Sequence, residues 1–208
     1  MKHLVSLLVA GFALAVPAFA AQDYYVNNTE GIGSDDYDGK APAWDGTHGP
    51  KFRIQAAIDA ASSDSGDVIH IAAGTYGDDQ GVTPKSYNGM GYYDCRICIT
   101  KNITIIGAGR GKTILLGKLA DTDTKSGTGA LPGLLIGMAG KNCRISGITF
   151  RDCASNSSYQ NGTAVLFTGS GREFADMPWI ADCASRTATR AAVPWPASTW
   201  RGRSSPTA

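Results

Sequence analysis

Short apolar runs, an excess of glycine and an internal repeat predict an all-β solenoid. The runs are Val68–Ala72, Ile97–Thr100, Ile103–Ile106, Thr113–Leu116, Leu134–Ile136, Cys143–Ile145, Ile148–Phe150 and Ala164–Phe167. They are rich in Ile, Leu and Val, and Gly, Asn or Asp divides them, the pattern of strands separated by turns. Glycine supplies 26 of 208 residues, against an average near 7%. It keeps no three-residue period, so it marks tight turns rather than collagen. Lys101-Asn102-Ile103-Thr104-Ile105 recurs as Lys141-Asn142-Cys143-Arg144-Ile145. That offset accommodates two solenoid turns of about 20 residues each. Each turn shelters the apolar side of the next.

The chain opens with a leader. Lys2 and His3 precede an apolar run from Leu4 to Val16, then Pro17 and the small-x-small site Ala18-Phe19-Ala20. This reads as a secretory signal over residues 1–20, with an apolar core short of a membrane span. No later stretch is long and apolar enough to cross a bilayer. The expected address is therefore secreted or cell-surface, and not transmembrane. Setting aside Lys2 and the four arginines after Cys183 leaves 14 basic against 18 acidic residues, a net charge of −4. No basic stripe follows a phosphate backbone, so no nucleic-acid partner is expected.

Residues 21–66 form the next region. Asp35, Asp36 and Asp38 cluster before Gly39. Hard oxygen donors on a glycine-bearing loop suit Ca²⁺, although the calcium-loop pattern with a glutamate at its twelfth position is absent. A solvated acidic turn has the same composition. Lys51 to Ala61 is the one good helical stretch. Ile54, Ala57, Ile58 and Ala61 share a face, and Pro50 stands where a first helical turn accepts it. Beyond it, alternation at Ile103-Thr104-Ile105 and Ile148-Thr149-Phe150 predicts strands with one buried side. His70, between Ile69 and Ile71, is expected to project outward. Asn102 and Asn142 suit left-handed corners.

Tyr24-Tyr25-Val26, Gly33-Ser34-Asp35-Asp36-Tyr37-Asp38-Gly39, the Ile54–Ala61 helix and the run Gly66-Asp67-Val68-Ile69-His70-Ile71-Ala72-Ala73-Gly74-Thr75-Tyr76 together carry a resemblance. They resemble the start of the secreted right-handed parallel β-helix proteins, the pectate-lyase-like superfamily. Ile103–Gly109 and Thr113–Leu115 look like a later rung. The resemblance covers Tyr24 to Phe167. It implies a helix capping the N-terminal end, rungs over residues 67–183 and an incomplete C-terminal end. It also implies an extracellular polysaccharide or cell surface as partner. Enzymes of the superfamily use Ca²⁺ held by Asp or Glu on one sheet face, plus Arg or Lys as base. Arg144 and Arg151 lie on late strands here with Asp152 the nearby acid, and no catalytic set carries over residue by residue. Two readings stand: a polysaccharide lyase or glycoside hydrolase, and a non-catalytic surface β-helix acting as adhesin or spacer.

Gly107-Ala108-Gly109-Arg110-Gly111-Lys112-Thr113 approaches the phosphate-loop pattern, but the first glycine is misplaced. A turn between strands is expected there, and no nucleotide cofactor. The cysteines are Cys95, Cys98, Cys143, Cys153 and Cys183. Export permits disulfides, and pairing is expected among the last three. After Cys183 the composition shifts. Residues 184–208 hold four Arg, three Pro and no Asp, Glu or Lys, and are expected to be unstructured. A slipped reading frame and a genuine disordered tail both fit that shift.

Overall fold

A computed structural model describes residues 20–81, 83–86, 92–119, 130–137, 140–153, 164–168 and 179–186. The leader, apart from Ala20, and the tail beyond Arg186 lie outside them. The described residues form an all-β fold, mostly of parallel strands, with one short α-helix and a 3₁₀ turn at Asp78–Gln80. The strands are β1 (Asp23–Val26), β2 (Val68–Ile71), β3 (Gly74–Tyr76), β4 (Thr83–Ser86), β5 (Tyr92–Cys95), β6 (Ile97–Ile99) and β7 (Thr104–Gly107). They continue as β8 (Thr113–Leu116), β9 (Leu134–Gly137), β10 (Arg144–Ser146), β11 (Ile148–Arg151), β12 (Val165–Thr168), β13 (Trp179–Ala181) and β14 (Ala184–Arg186). The helix, α1, is Ile54–Ala60.

Three parallel sheets result. The first is ordered β1-β2-β7-β10-β13, the second β14-β11-β8-β3 and the third β12-β9-β6. The chain visits them in turn: β2, β3, β6, then β7, β8, β9, then β10, β11, β12, then β13 and β14. An antiparallel hairpin, β4 with β5, interrupts the first circuit. Val68, Thr104, Arg144 and Trp179 are successive register partners, so the returns take 36, 40 and 35 residues. The repeat at Lys101 and Lys141 thus marks a single circuit, not two turns of about 20. Long excursions between the second and third sheets lengthen each circuit.

Register places like on like. Tyr24, Ile69, Ile105, Ile145 and Ile180 are partners along the first sheet, and the first four are buried. Tyr76, Leu115 and Phe150 stack in the second sheet, and Ile97 with Leu134 and Ile99 with Ile136 in the third. These rows form one core cluster, with about 1.5–3 kcal/mol from each fully buried large aliphatic side chain. The third sheet is also covered outside, where Cys95, Cys98 and Leu135 form a second cluster.

The helix starts three residues later than its periodicity suggests. Asp35 Oδ1 accepts the amides of Phe52 (3.1 Å) and Arg53 (2.8 Å), holding Arg53 extended at φ −97°, ψ 139°. Pro50 therefore precedes the helix instead of opening it. The Ile54 amide donates to buried Gln80 Oε1 at 2.8 Å. At the other end the Lys101 ammonium donates to the carbonyls of Ile58, Asp59 and Ala61 at 2.9, 2.8 and 2.5 Å, where a cation suits the helix dipole. The α1 residues Ile54, Ala57 and Ile58 enter the core. Gln55 brackets the backbone of Cys98 on edge strand β6: its Oε1 accepts the Cys98 amide (2.8 Å) and its Nε2 donates to the Cys98 carbonyl (3.3 Å).

Three expectations are corrected. Among the described residues, the non-glycine positions at positive φ are Asp64, Asp152 and Asp182, not Asn102 or Asn142. Asn102 instead ties circuits together. Its Nδ2 donates to Asp64 Oδ1 (2.7 Å) and its Oδ1 accepts the Asn142 amide (2.9 Å). Cys143, Cys153 and Cys183 are free thiols, because they serve as small apolar groups packed in or against the core. Burial pushes the Cys143 thiol up to about 12 and that of Cys153 up to about 11. Finally, Ala184–Arg186 is not unstructured: it pairs in parallel with Thr149–Arg151, since the register of β13 carries the chain on through the same corner as β10.

That corner is backbone stacked on backbone. Gly147 has φ +70°, and a Cβ there would stand 2.5 Å from the Gly107 carbonyl oxygen. Only glycine meets both demands at once.

Candidate functional site

The outer face of the first sheet carries the candidate site. Side chains alternate across a strand, so burying Tyr24 and Val26, Ile69 and Ile71, and Ile105 turns their neighbours outward. Two outward rows follow from the register: Asp23, Val68, Thr104, Arg144 and Trp179, and Tyr25, His70, Ile106, Ser146 and Ala181. Large apolar groups stand open along them, with Ile106 at 37% and Trp179 at 47% exposure.

At the β1 end these rows build a cleft. His70 and Tyr25 stack with ring centroids 5.2 Å apart and planes inclined by 20°. His70 Nε2 lies 2.8 Å from Asp23 Oδ1, so the imidazole is held by a ring on its face and a carboxylate at its edge. Tyr25, His70 and Ile106 form the floor of a cleft of about 260 Å³, with Asn27, Pro42 and Ala108 among the residues around it. Drug-sized ligands occupy roughly 300–1,000 Å³, so this volume suits one small ring of a longer ligand. Pro42 arrives from the loop between β1 and α1. That loop bonds to the open edge of β1: the Tyr25 amide donates to Gly39 O (2.7 Å) and the Lys51 amide to Tyr25 O (2.9 Å).

The acidic loop lies in the same segment, and its three aspartates diverge. Asp35 holds the helix entrance and pairs with the Arg53 guanidinium. Asp38 Oδ2 lies 2.5 Å from His48 Nδ1, and its Oδ1 accepts the Lys40 amide (3.0 Å). Burial alone would raise the Asp38 carboxyl. The Lys40 amide, His48 and the Gly49 amide outweigh that and hold it below the usual carboxylate range. Asp36 is exposed. Among the described residues, no three His, Cys, Asp or Glu side chains converge as a metal site.

The Gly107–Thr113 segment is a turn whose amides serve the fold. Ala108 N donates to Thr113 Oγ1 (2.8 Å), Gly109 N to Gly147 O (3.1 Å) and Gly111 N to Thr149 Oγ1 (2.8 Å). Arg144 and Arg151 fall on different sheets. Arg144 stands on the outer rows beside Trp179, while Arg151 pairs with Asp152 at 3.7 Å on the second sheet.

Sequence reasoning turned His70 outward but missed its partners. The signal was available: Asp23-Tyr24-Tyr25-Val26 and Val68-Ile69-His70-Ile71 alternate in the same phase, so pairing the two strands sets Tyr25 beside His70.

Over 85 residues the chain is 35% identical to the mannuronan C5-epimerase AlgE3 of Azotobacter vinelandii. The match covers 41% of this chain and 4% of that protein, so only a small fraction of the relative's length is represented. No protein-family model matches the chain, and no solved structure matches it. None of the helices among the described residues is long and apolar enough to cross a membrane.

Proposed function

We propose that this chain is an exported right-handed parallel β-helix protein, its N-terminal end closed by α1, that binds extracellular polysaccharide along the outer face of the first sheet. The observation that carries the reading is the Tyr25–His70–Ile106 cleft, flanked on the same face by the row that runs from Asp23 through Val68 and Thr104 to Arg144 and Trp179. Neighbouring strands stand about 4.8 Å apart, close to the length of one sugar unit in an extended glycan. A chain laid across the strands therefore meets one outward residue per unit. Rings at Tyr25 and Trp179 suit the C–H faces of sugars, and Arg144 suits a hydroxyl or carboxylate. The similarity to a protein named for its action on mannuronan supports a polysaccharide as the ligand.

One observation favours a catalytic form of this reading. An imidazole oriented by a carboxylate, as His70 is by Asp23, is the arrangement of a general base.

Affinity electrophoresis of the full chain in gels containing polymannuronate, polygalacturonate or a neutral β-glucan tests the proposal. Retardation by at least one polymer is expected, and loss of that retardation in the Tyr25→Ala/His70→Ala variant. No retardation in any gel, or retardation unaffected by the double substitution, overturns it. Ultraviolet absorbance of unsaturated product, followed with calcium and with a chelator, separates a lyase from a binding protein.

A further inference from the structure

We infer that Trp44 is a second sugar-stacking platform beside the cleft, taking the C–H face of a pyranose ring next to the one held at Tyr25 and His70. This rests on the polysaccharide-binding reading above and extends its site from the sheet to a loop.

Trp44 is 52% exposed, although indoles are usually well buried. A lone exposed apolar residue needs no explanation, but this one is held in position. Its ring stacks on Tyr37, with centroids 4.7 Å apart and planes inclined by 21°. Tyr37 in turn lies flat on Gly49, where a Cβ would stand 2.5 Å from the Tyr37 ring. The loop beneath is cross-tied. Gly39 N donates to Gly49 O (2.9 Å), and Asp38 meets His48 at 2.5 Å. Asp45 Oδ1 accepts the amides of Thr47 (2.9 Å) and His48 (2.7 Å).

These ties hold Trp44 with its indole half open to solvent and oriented before any ligand arrives, which lowers the ordering cost of binding. Pro42, which lines the cleft, is only two residues earlier in the chain, so the two Cα atoms stand within about 7 Å of each other. The face of an aromatic ring carries negative potential. It therefore attracts the slightly positive C–H hydrogens of a pyranose face that carries no axial hydroxyl. Asp35, Asp38 and Asp45 are engaged in holding the loop, so recognition at the indole is by ring stacking.

Titration of the full chain with oligomannuronate, oligogalacturonate and a cello-oligosaccharide, read by intrinsic fluorescence and by calorimetry, tests the assignment. Trp44→Ala is expected to weaken binding of whichever sugar the unaltered chain takes by about three- to tenfold, the scale of one aromatic stacking contact. Trp44→Phe is expected to keep most of the affinity and to lose Trp44's share of the ligand-induced fluorescence change, leaving that of Trp179. Trp44→Ala binding as tightly as the unaltered chain, while His70→Ala binds more weakly, overturns this inference and leaves the wider reading standing. Absence of binding by the unaltered chain overturns both.

Discussion

Replacing Gln55 by alanine probes how α1 closes the open edge of the third sheet. Strand β6 is at the edge of that sheet, and among the described residues α1, not a strand, faces the Cys98 amide and carbonyl. Gln55 supplies both partners, at 2.8 and 3.3 Å, and Cys98 is 1% exposed, so water is a poor substitute. Leaving a buried amide unsatisfied costs about 1–3 kcal/mol. The longer carbonyl bond adds less, and the better helix propensity of alanine returns a few tenths. The net expectation is a loss of about 2 kcal/mol, which lowers Tm by about 4–8 °C in a chain of this size. Gln55 Nε2 also contacts Asp59 Oδ1 at 2.9 Å, an i,i+4 pair worth only about 0.2–0.5 kcal/mol. Asp59→Ala is therefore the control. Urea unfolding followed by circular dichroism gives both values. A Gln55→Ala loss no larger than that of Asp59→Ala would refute the argument that this side chain completes the sheet edge.

Two further outcomes are expected. Gly147→Ala combines a left-handed penalty of about 1–2 kcal/mol with a methyl 2.5 Å from the Gly107 carbonyl, whereas Gly31→Ala, at φ +77° with nothing within 4 Å, carries the penalty alone. Gly147→Ala should be the more destabilising by at least about 1 kcal/mol, and equal urea midpoints would show that the stacked corner does not constrain the fold. Asp67 is 2% exposed and accepts the amides of Gln22 (2.9 Å) and Ser62 (2.8 Å). Burial alone would raise its carboxyl, but Ser65, those amides and Lys101 outweigh it and lower it below the ordinary value. A depressed carboxyl contributes stability above the unfolded value of about 4, and that contribution is lost as pH falls through the folded one. The stability difference between the natural chain and Asp67→Asn should therefore shrink below about pH 4, and a constant difference down to acid pH would contradict the assignment.

Strands and their buried sides were legible because alternation needs only local sequence. Ile103, Ile105, Ile148 and Phe150 all face inward as read. The period was misread because the spacing of two similar pentads does not reveal how many strands lie between them. Three strands and a long excursion fit where two short turns had been inferred. Asn102 shows a related limit. The residue type suggested a backbone conformation, whereas its amide is used to bond the circuits on either side. Gln55, Gln80 and Lys101 were silent in the sequence, since each caps a backbone group more than 20 positions away.

The candidate site follows from which face the fold leaves open. In the third sheet β6 and β9 are buried on both faces, with Cys98 and Leu135 belonging to the outer cluster. On the second, Thr149 is 5% exposed and its hydroxyl accepts the Gly111 amide, so part of its outer face is spent on the turn beside it. The first sheet has five strands in continuous register, outward aromatic and apolar groups, and a loop bonded along its β1 edge. Burial alone would have favoured turning Ile106 and Trp179 inward. Their exposure on the outer face of the first sheet, Ile106 in the row of Tyr25 and His70 and Trp179 in the row beside it, is why the polysaccharide reading is placed there and not on the acidic loop or the glycine-rich turn.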